Sequence, residues 1–232
     1  MGEFWDGRAR ENPMFFVDNS LNYNAPDERA FWADGPRWLD ELLGSVGASL
    51  AEGDTVVEIG CGMGRLTRPI AERAGLVTAI DVSGEMLSHA RRHNAHLENV
   101  TWLLGDGTSL AGVPDAQADA CISHVVFQHI PDPSITLGYV REIGRVLRPG
   151  GWAAFQVSND SRIHRRRRGR ERLRTVVDAA RGRAPRGQAD PNWLGSAVDL
   201  GDLRVAAADG GMEVERVAGE GTQLCYVLTR RS

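Results

Sequence analysis

Val56-Val57-Glu58-Ile59-Gly60-Cys61-Gly62-Met63-Gly64-Arg65-Leu66-Thr67 decides how this 232-residue chain folds. Val56, Val57 and Ile59 read as a short buried strand. Gly60, Gly62 and Gly64 follow at alternate positions, and from Arg65 to Arg73 the pattern turns helical. Strand, glycine turn and helix form the opening unit of a nucleotide-binding α/β domain. Glycine suits such a turn because it accepts positive φ and has no Cβ to hold a ligand off the backbone. A dinucleotide fingerprint, G-x-G-x-x-G, needs glycine at position 65, where Arg65 stands instead. That spacing disfavours a nicotinamide oxidoreductase. Asp81 closes the next apolar run, Leu76 to Ile80, about 20 residues after the glycines, where a ribose-binding carboxylate belongs.

Glu58, the G-x-G-x-G turn and Asp81 together resemble the class I S-adenosylmethionine-dependent methyltransferases. Later stretches add to the resemblance. Val100 to Leu104 reads as a third strand running into Gly105-Asp106-Gly107, which resembles the family's acidic turn that meets the adenine amine. An Asp-Gly turn holding its own backbone is the alternative reading. Ala118 to Val126 reads as the fourth strand and its exit. Phe127-Gln128-His129-Ile130-Pro131-Asp132 resembles the segment that follows it in ubiquinone-biosynthesis-type enzymes. Leu147-Arg148-Pro149-Gly150-Gly151 is a frequent family turn into the fifth strand, expected at Trp152 to Val157. Met212 to Ala218 and Gln223 to Thr229 read as a closing antiparallel hairpin.

The resemblance implies an α/β fold of Rossmann-like type: a seven-stranded, mostly parallel sheet with that hairpin, helices on both faces and an N-terminal helical lid. Residues 1–50 are expected to form the lid, with plain packing on the sheet as the other reading, and residues 51–232 the methyltransferase domain with an arginine-rich insertion over 158–198. It also implies S-adenosylmethionine as cofactor and S-adenosylhomocysteine as product. The cofactor-binding residues carried over are Glu58, Gly60, Cys61, Gly62, Arg65, Asp81, Val82, Met86, Asp106, Gly107 and His124, the last through its backbone. Arg65 has two readings, a partner of the cofactor carboxylate or a solvated first-turn arginine. Trp5, Arg8, Arg10 and Tyr23 are further candidates for cofactor contact.

His129 is the candidate general base, because histidine titrates in the useful range; structural packing is the competing reading. The chain has no lysine, all 27 basic residues being arginine, so no lysine base exists. No cluster has metal-site spacing, and none is expected.

Other helices are placed by caps and apolar spacing. Asp27 starts one running to about Leu43, with Pro36 expected to kink or split it. Ser83 caps 84–95, Pro133 starts a helix to Val146, and Asp199 caps 200–208. Ten arginines between Arg165 and Arg186 face only Glu171 and Asp178, while the whole chain carries −4. That segment is read as a solvated insertion, a substrate-pocket element or a docking surface. Leu173, Val176, Val177 and Ala180 share one helical face, and Pro191-Asn192-Trp193-Leu194 brings the chain back. Cys61, Cys121 and Cys225 are odd in number and read as reduced, buried thiols. No apolar run is long enough to span a bilayer, and the N-terminus lacks signal-peptide order. A cytoplasmic monomer or homodimer, away from membranes, is expected.

The function implied is methyl transfer to a hydroxyl or amine of a small molecule, a secondary metabolite by expectation. Two alternatives stand beside it: an RNA or protein methyltransferase docking through the arginines, and a binding protein without turnover. Nucleic acid is not the expected partner, since the rest of the chain is acidic.

Overall fold

The computed structural model describes residues 1–164 and 190–232. The arginine segment 165–186 and its expected helical face lie outside the described residues, as does any docking surface built on them.

Seven strands make one sheet in the order β3-β2-β1-β4-β5-β7-β6. They are β1 (Thr55–Ile59), β2 (Leu76–Asp81), β3 (Val100–Leu104), β4 (Ala118–Ser123), β5 (Leu147–Val157), β6 (Met212–Ala218) and β7 (Cys225–Arg231). The first five run parallel. β7 lies antiparallel to β5, and β6 antiparallel to β7. The order reverses between β1 and β4, so their carboxyl ends open a crevice where α/β sheets bind ligands.

The alternation of the strands sorts the core onto two faces. Val57 and Ile59 pack with α6 (Pro133–Val146) and with α8 (Leu200–Asp209). Val56 faces the other way, toward α3 (Glu28–Val46), α4 (Thr67–Ala71) and α5 (Gly84–His93). A third apolar cluster joins α1 (Gly2–Glu11) and α2 (Pro13–Val17) to the glycine turn: Ala9, Phe15, Phe16 and Phe31 close around Met63 and Met86. This cluster brings the N-terminal helices over the crevice.

Several boundaries differ from the sequence expectation. The helix capped by Asp27 is continuous through Pro36 and reaches Val46. Asp27 accepts from the Ala30 amide at 3.0 Å, and Gly47 ends the helix at φ 70°. The helix after the glycine turn covers only Thr67–Ala71, because Gly62 to Leu66 are spent on the turn. β5 starts at Leu147, five residues before the expected Trp152: Leu147 pairs with Ala118, and the register shifts before Ala120 pairs with Trp152. The expected turn residues are thus an irregular first part of the strand. β4 stops at Ser123, because Val125 takes φ 57° and breaks the extended path. The last strand sits two residues later than expected, at Cys225–Arg231.

Candidate active site

The end of β1 and the end of β2 are tied by main-chain hydrogen bonds. The Gly60 and Cys61 amides both donate to the Ile80 carbonyl, at 2.7 and 2.9 Å. The Gly62 amide donates to Asp81 Oδ2 and the Ser83 amide to Asp81 Oδ1, each at 2.8 Å. Asp81 therefore clamps two turns. Burial pushes its pKa up to about 6, against the pull of those amides.

The turn admits only glycine at its tightest point. Gly60 sits at φ 77°, and a Cβ there would lie 2.2 Å from Val126 Cγ2. Gly62, at φ 55°, would place a Cβ 3.0 Å from Val17 Cγ2, a side chain of α2. The N-terminal wall thus approaches the turn as closely as a methyl group allows.

A cavity of about 350 Å³ opens against this turn. Of the carried-over cofactor residues, Glu58, Gly60, Cys61, Gly62, Arg65, Asp81, Val82, Met86, Gly107 and His124 line it; His129 lines it too. Asp106 does not. Its exposed carboxylate turns back on its own loop, accepting from the Thr108 and Ser109 amides at 2.7 Å and from Ser109 Oγ at 2.6 Å. The structure favours the self-holding turn for Asp106. Of the four N-terminal candidates only Trp5 reaches the cavity. Arg8 pairs with Glu11, Arg10 with Glu85, and the Tyr23 hydroxyl donates to Glu11.

Glu58 accepts from Thr67 Oγ1 at 2.5 Å, and burial raises its pKa to about 7. Arg65 is buried beneath α2 and α3, paired to Asp18 at 2.5 Å, with its guanidinium 5.5 Å from the Phe31 ring centre. The solvated first-turn reading of Arg65 therefore fails: α3 passes so close that a Cβ on Gly35 would meet the Arg65 carbonyl at 2.3 Å. His124 stacks on Tyr226, at 6.1 Å, and meets Trp38 at a tilt of 39°, at 5.1 Å. Burial, helped by nearby Arg65, lowers its pKa to about 4.

His129, on the 3-10 turn Phe127–His129, has both ring nitrogens engaged. Nδ1 meets the Trp193 carbonyl at 3.1 Å, and Nε2 meets the Gln128 amide nitrogen at 3.2 Å. Burial lowers its pKa to about 4. It is a neutral imidazole with an occupied lone pair.

Sequence reasoning missed the far wall of the cavity: Phe16, Asp18, Trp38 and Trp193. Only Arg65 gave a signal, since a buried guanidinium demands a carboxylate partner. It also missed the strain at Val125. A β-branched residue at φ 57° costs about 1–3 kcal/mol. The amide of Val125 is held by Gln156 Oε1 at 3.1 Å while Val126 presses on Gly60.

Comparison with known proteins bears on this geometry. Residues 57–155 match a methyltransferase domain family. A ubiquinone biosynthesis O-methyltransferase of Pseudomonas fluorescens is 31% identical over 157 residues, 67% of this chain and 58% of that protein. A demethylmenaquinone methyltransferase of Tropheryma whipplei is 34% identical over 99 residues, 43% of this chain and 39% of that one. The chain spans about half the length of the curated relatives it matches. Among solved structures, an S-adenosylmethionine-dependent methyltransferase of Mesorhizobium loti superposes with a TM-score of 0.63 at 20% identity, over 86% of this chain and all of that one. Phosphoethanolamine N-methyltransferase 1 of Haemonchus contortus, bound to S-adenosylhomocysteine, gives 0.66 at 18% identity, over 98% of this chain and 47% of that one. These two likenesses speak for the fold. The domain match begins inside β1 and ends inside β5, so it spans the five parallel strands and the glycine turn, and together with the ubiquinone-biosynthesis relative it makes the chain a member of the class I S-adenosylmethionine-dependent methyltransferases.

Proposed function

We propose that this protein transfers a methyl group from S-adenosylmethionine to a hydroxyl or amine of a small molecule, with a secondary metabolite as the natural acceptor. The observation that carries the reading is the cavity itself. Its lining combines the glycine turn and Asp81 with aromatic side chains from α1, α2 and the end of the insertion.

The cofactor fits the residues present. Gly60 and Gly62 put main chain on the cavity wall, and their missing side chains leave room for Val126 and Val17 beside it. The Asp81 carboxylate faces the cavity as an acceptor for the ribose, and Val82 and Met86 give an apolar seat for the base. When bound, the cofactor supplies an electrophilic methyl on a sulfonium. The chain's own part is alignment and exclusion of water, which can supply most of the rate for such a reaction. Residues 1–50 serve as the lid: Asp6 accepts from Ser83 Oγ at 2.6 Å and Arg10 pairs with Glu85, latching α1 to the start of α5. No described helix is long and apolar enough to cross a membrane. Cys61, Cys121 and Cys225 are free, buried thiols, which accords with a reducing, cytoplasmic setting.

Calorimetric titration tests the cofactor assignment. S-adenosylhomocysteine should bind one per chain and NAD should not. Binding of NAD with no response to S-adenosylhomocysteine would overturn the reading.

A further inference from the structure

We propose that His129 is a positioning residue, whose Nδ1–H holds Trp193 across the acceptor end of the cavity. The word "acceptor" here rests on the proposed methyl transfer; the His129–Trp193 linkage stands without it.

A chain of hydrogen bonds runs through the site, and main-chain groups fix its direction at both ends. The Val125 amide can only donate, and it donates to Gln156 Oε1 at 3.1 Å. The nitrogen end of Gln156 is then set. It donates to Gln128 Oε1 at 3.1 Å and to the Gln223 carbonyl, which can only accept. With its oxygen taken, Gln128 turns its amide N–H toward His129 Nε2, at 3.2 Å. At the other end the Trp193 carbonyl can only accept, so His129 Nδ1 carries the proton. Each side-chain amide and the ring tautomer follow from these fixed ends.

This polarity forbids a base. A proton taken by Nε2 would face the Gln128 N–H. Relieving that clash by flipping Gln128 would put its nitrogen against the Gln156 nitrogen. Flipping Gln156 in turn would set N–H against the Val125 N–H and oxygen against the Gln223 carbonyl, neither of which can turn. The pKa near 4 points the same way.

What the chain does hold is the helix α7 (Pro191–Leu194), which brings the chain back from the insertion. His129 takes the Trp193 carbonyl, and His164 takes the next one, Leu194, while its Nε2 meets Ser158 Oγ at 2.7 Å. Gly195 then crosses over Gln128 so closely that a Cβ would fall 1.6 Å from its carbonyl oxygen. The Trp193 ring contacts His129 at 5.7 Å on one side and Phe16 of the N-terminal wall at 5.5 Å on the other. Trp193 therefore joins the post-β4 turn to α2 and closes the cavity between them.

The test uses full-length protein labelled with 5-fluorotryptophan, the Trp193 fluorine line being assigned with Trp193→Phe. His129→Ala should move that line toward a solvent-exposed position and raise its solvent isotope shift. His129→Asn should restore it, because the asparagine N–H lies where Nδ1–H does, although asparagine cannot act as a base. His129→Gln, whose amide reaches the Nε2 position, should not restore it. An alanine variant with the wild-type line, or an asparagine variant that behaves like alanine, would overturn the proposal. A second measurement needs no variant: imidazole nitrogen shifts of the wild type should show the Nδ1–H tautomer from pH 8 down to pH 6. An Nε2–H tautomer or an imidazolium at pH 6 would refute it. S-adenosylhomocysteine is titrated into the same labelled samples. Failure to bind would remove the methyltransferase reading and leave the Trp193 result to stand or fall by itself.

Discussion

The two ends of the cavity are built from different materials. At the β1–β2 end, main chain does the work: bare glycines, paired amides and one carboxylate clamping two turns. At the Trp193 end, side chains from α1, α2, α3, the post-β4 turn and α7 converge. A main-chain site is constrained by φ and by the absence of Cβ, so few sequences can make it. A side-chain site can be assembled from many residues, so it is free to vary with the acceptor. In the proposed function the first end takes the cofactor and the second selects the acceptor.

The Arg65–Asp18 pair stitches the ends together, and breaking it should give the largest effect. Arg65 belongs to the glycine turn and Asp18 to the loop after α2; both are buried. Asp18→Leu leaves a buried guanidinium without its counter-charge, which costs about 3–5 kcal/mol. Replacing both, Arg65→Met with Asp18→Leu, should recover most of that loss, since an apolar pair can substitute for a buried ion pair. Urea unfolding of the single and double variants measures both. Should the single variant keep wild-type stability, the pair does not hold the wall to the turn.

The near end itself is sharpened by setting Asp81 against Asp106, two acids at adjacent strand ends. Asp81→Ala removes the acceptor for Gly62 and Ser83 as well as for any ribose hydroxyl. Hydrogen bonds to a charged group are worth roughly 1.5–3 kcal/mol, so affinity for S-adenosylhomocysteine should fall at least about tenfold. Asp106→Ala should change it far less, since that carboxylate is committed to its own turn. Equal losses in calorimetry would mean that Asp106 swings into the cavity when ligand binds.

This contrast also explains what the sequence could show. The individual strands and the glycine turn were readable because each follows from local periodicity and local φ, whereas the seven-stranded plan came from the family resemblance and the order of the strands was not read at all. Ser83 and Asp27 were readable as caps for the same reason, and both accept the expected amides. Trp193 was not, because it meets His129 from 64 residues away, across the insertion. Nor was the role of Asp106: Asp-Gly turns look alike whether the carboxylate faces a ligand or its own amides. The helix expected from Asp27 was legible, but not that it stays unsplit at Pro36, where burial of Phe31, Leu39, Leu42 and Leu43 on one face outweighs one lost hydrogen bond.

The smallest expected effect is in the pH dependence of stability, where buried acids and buried histidines oppose each other. Glu58 and Asp81 have folded pKa values of about 7 and about 6, above the ordinary carboxylate range. They hold protons that the unfolded chain releases, so their contribution is full at low pH and is lost as pH rises through those values. His124 and His129 have folded values of about 4, below the ordinary histidine value. The unfolded chain binds protons there that the folded one refuses, so their contribution is full above about pH 6.5 and is lost as pH falls toward 4. The windows overlap between about pH 4.5 and 6.5 with opposite signs, and these four groups together should leave stability nearly flat there. Glu58→Gln tips that balance. The amide can still accept from Thr67, but one of the two opposing protons is gone. Stability of the variant should then fall on acidification more steeply than wild type, by about 1 kcal/mol per pH unit, the value of one unopposed proton. Urea midpoints taken from pH 6.5 to pH 5 read this slope. A variant that tracks wild type across the range would show that Glu58 does not carry its proton in the folded state.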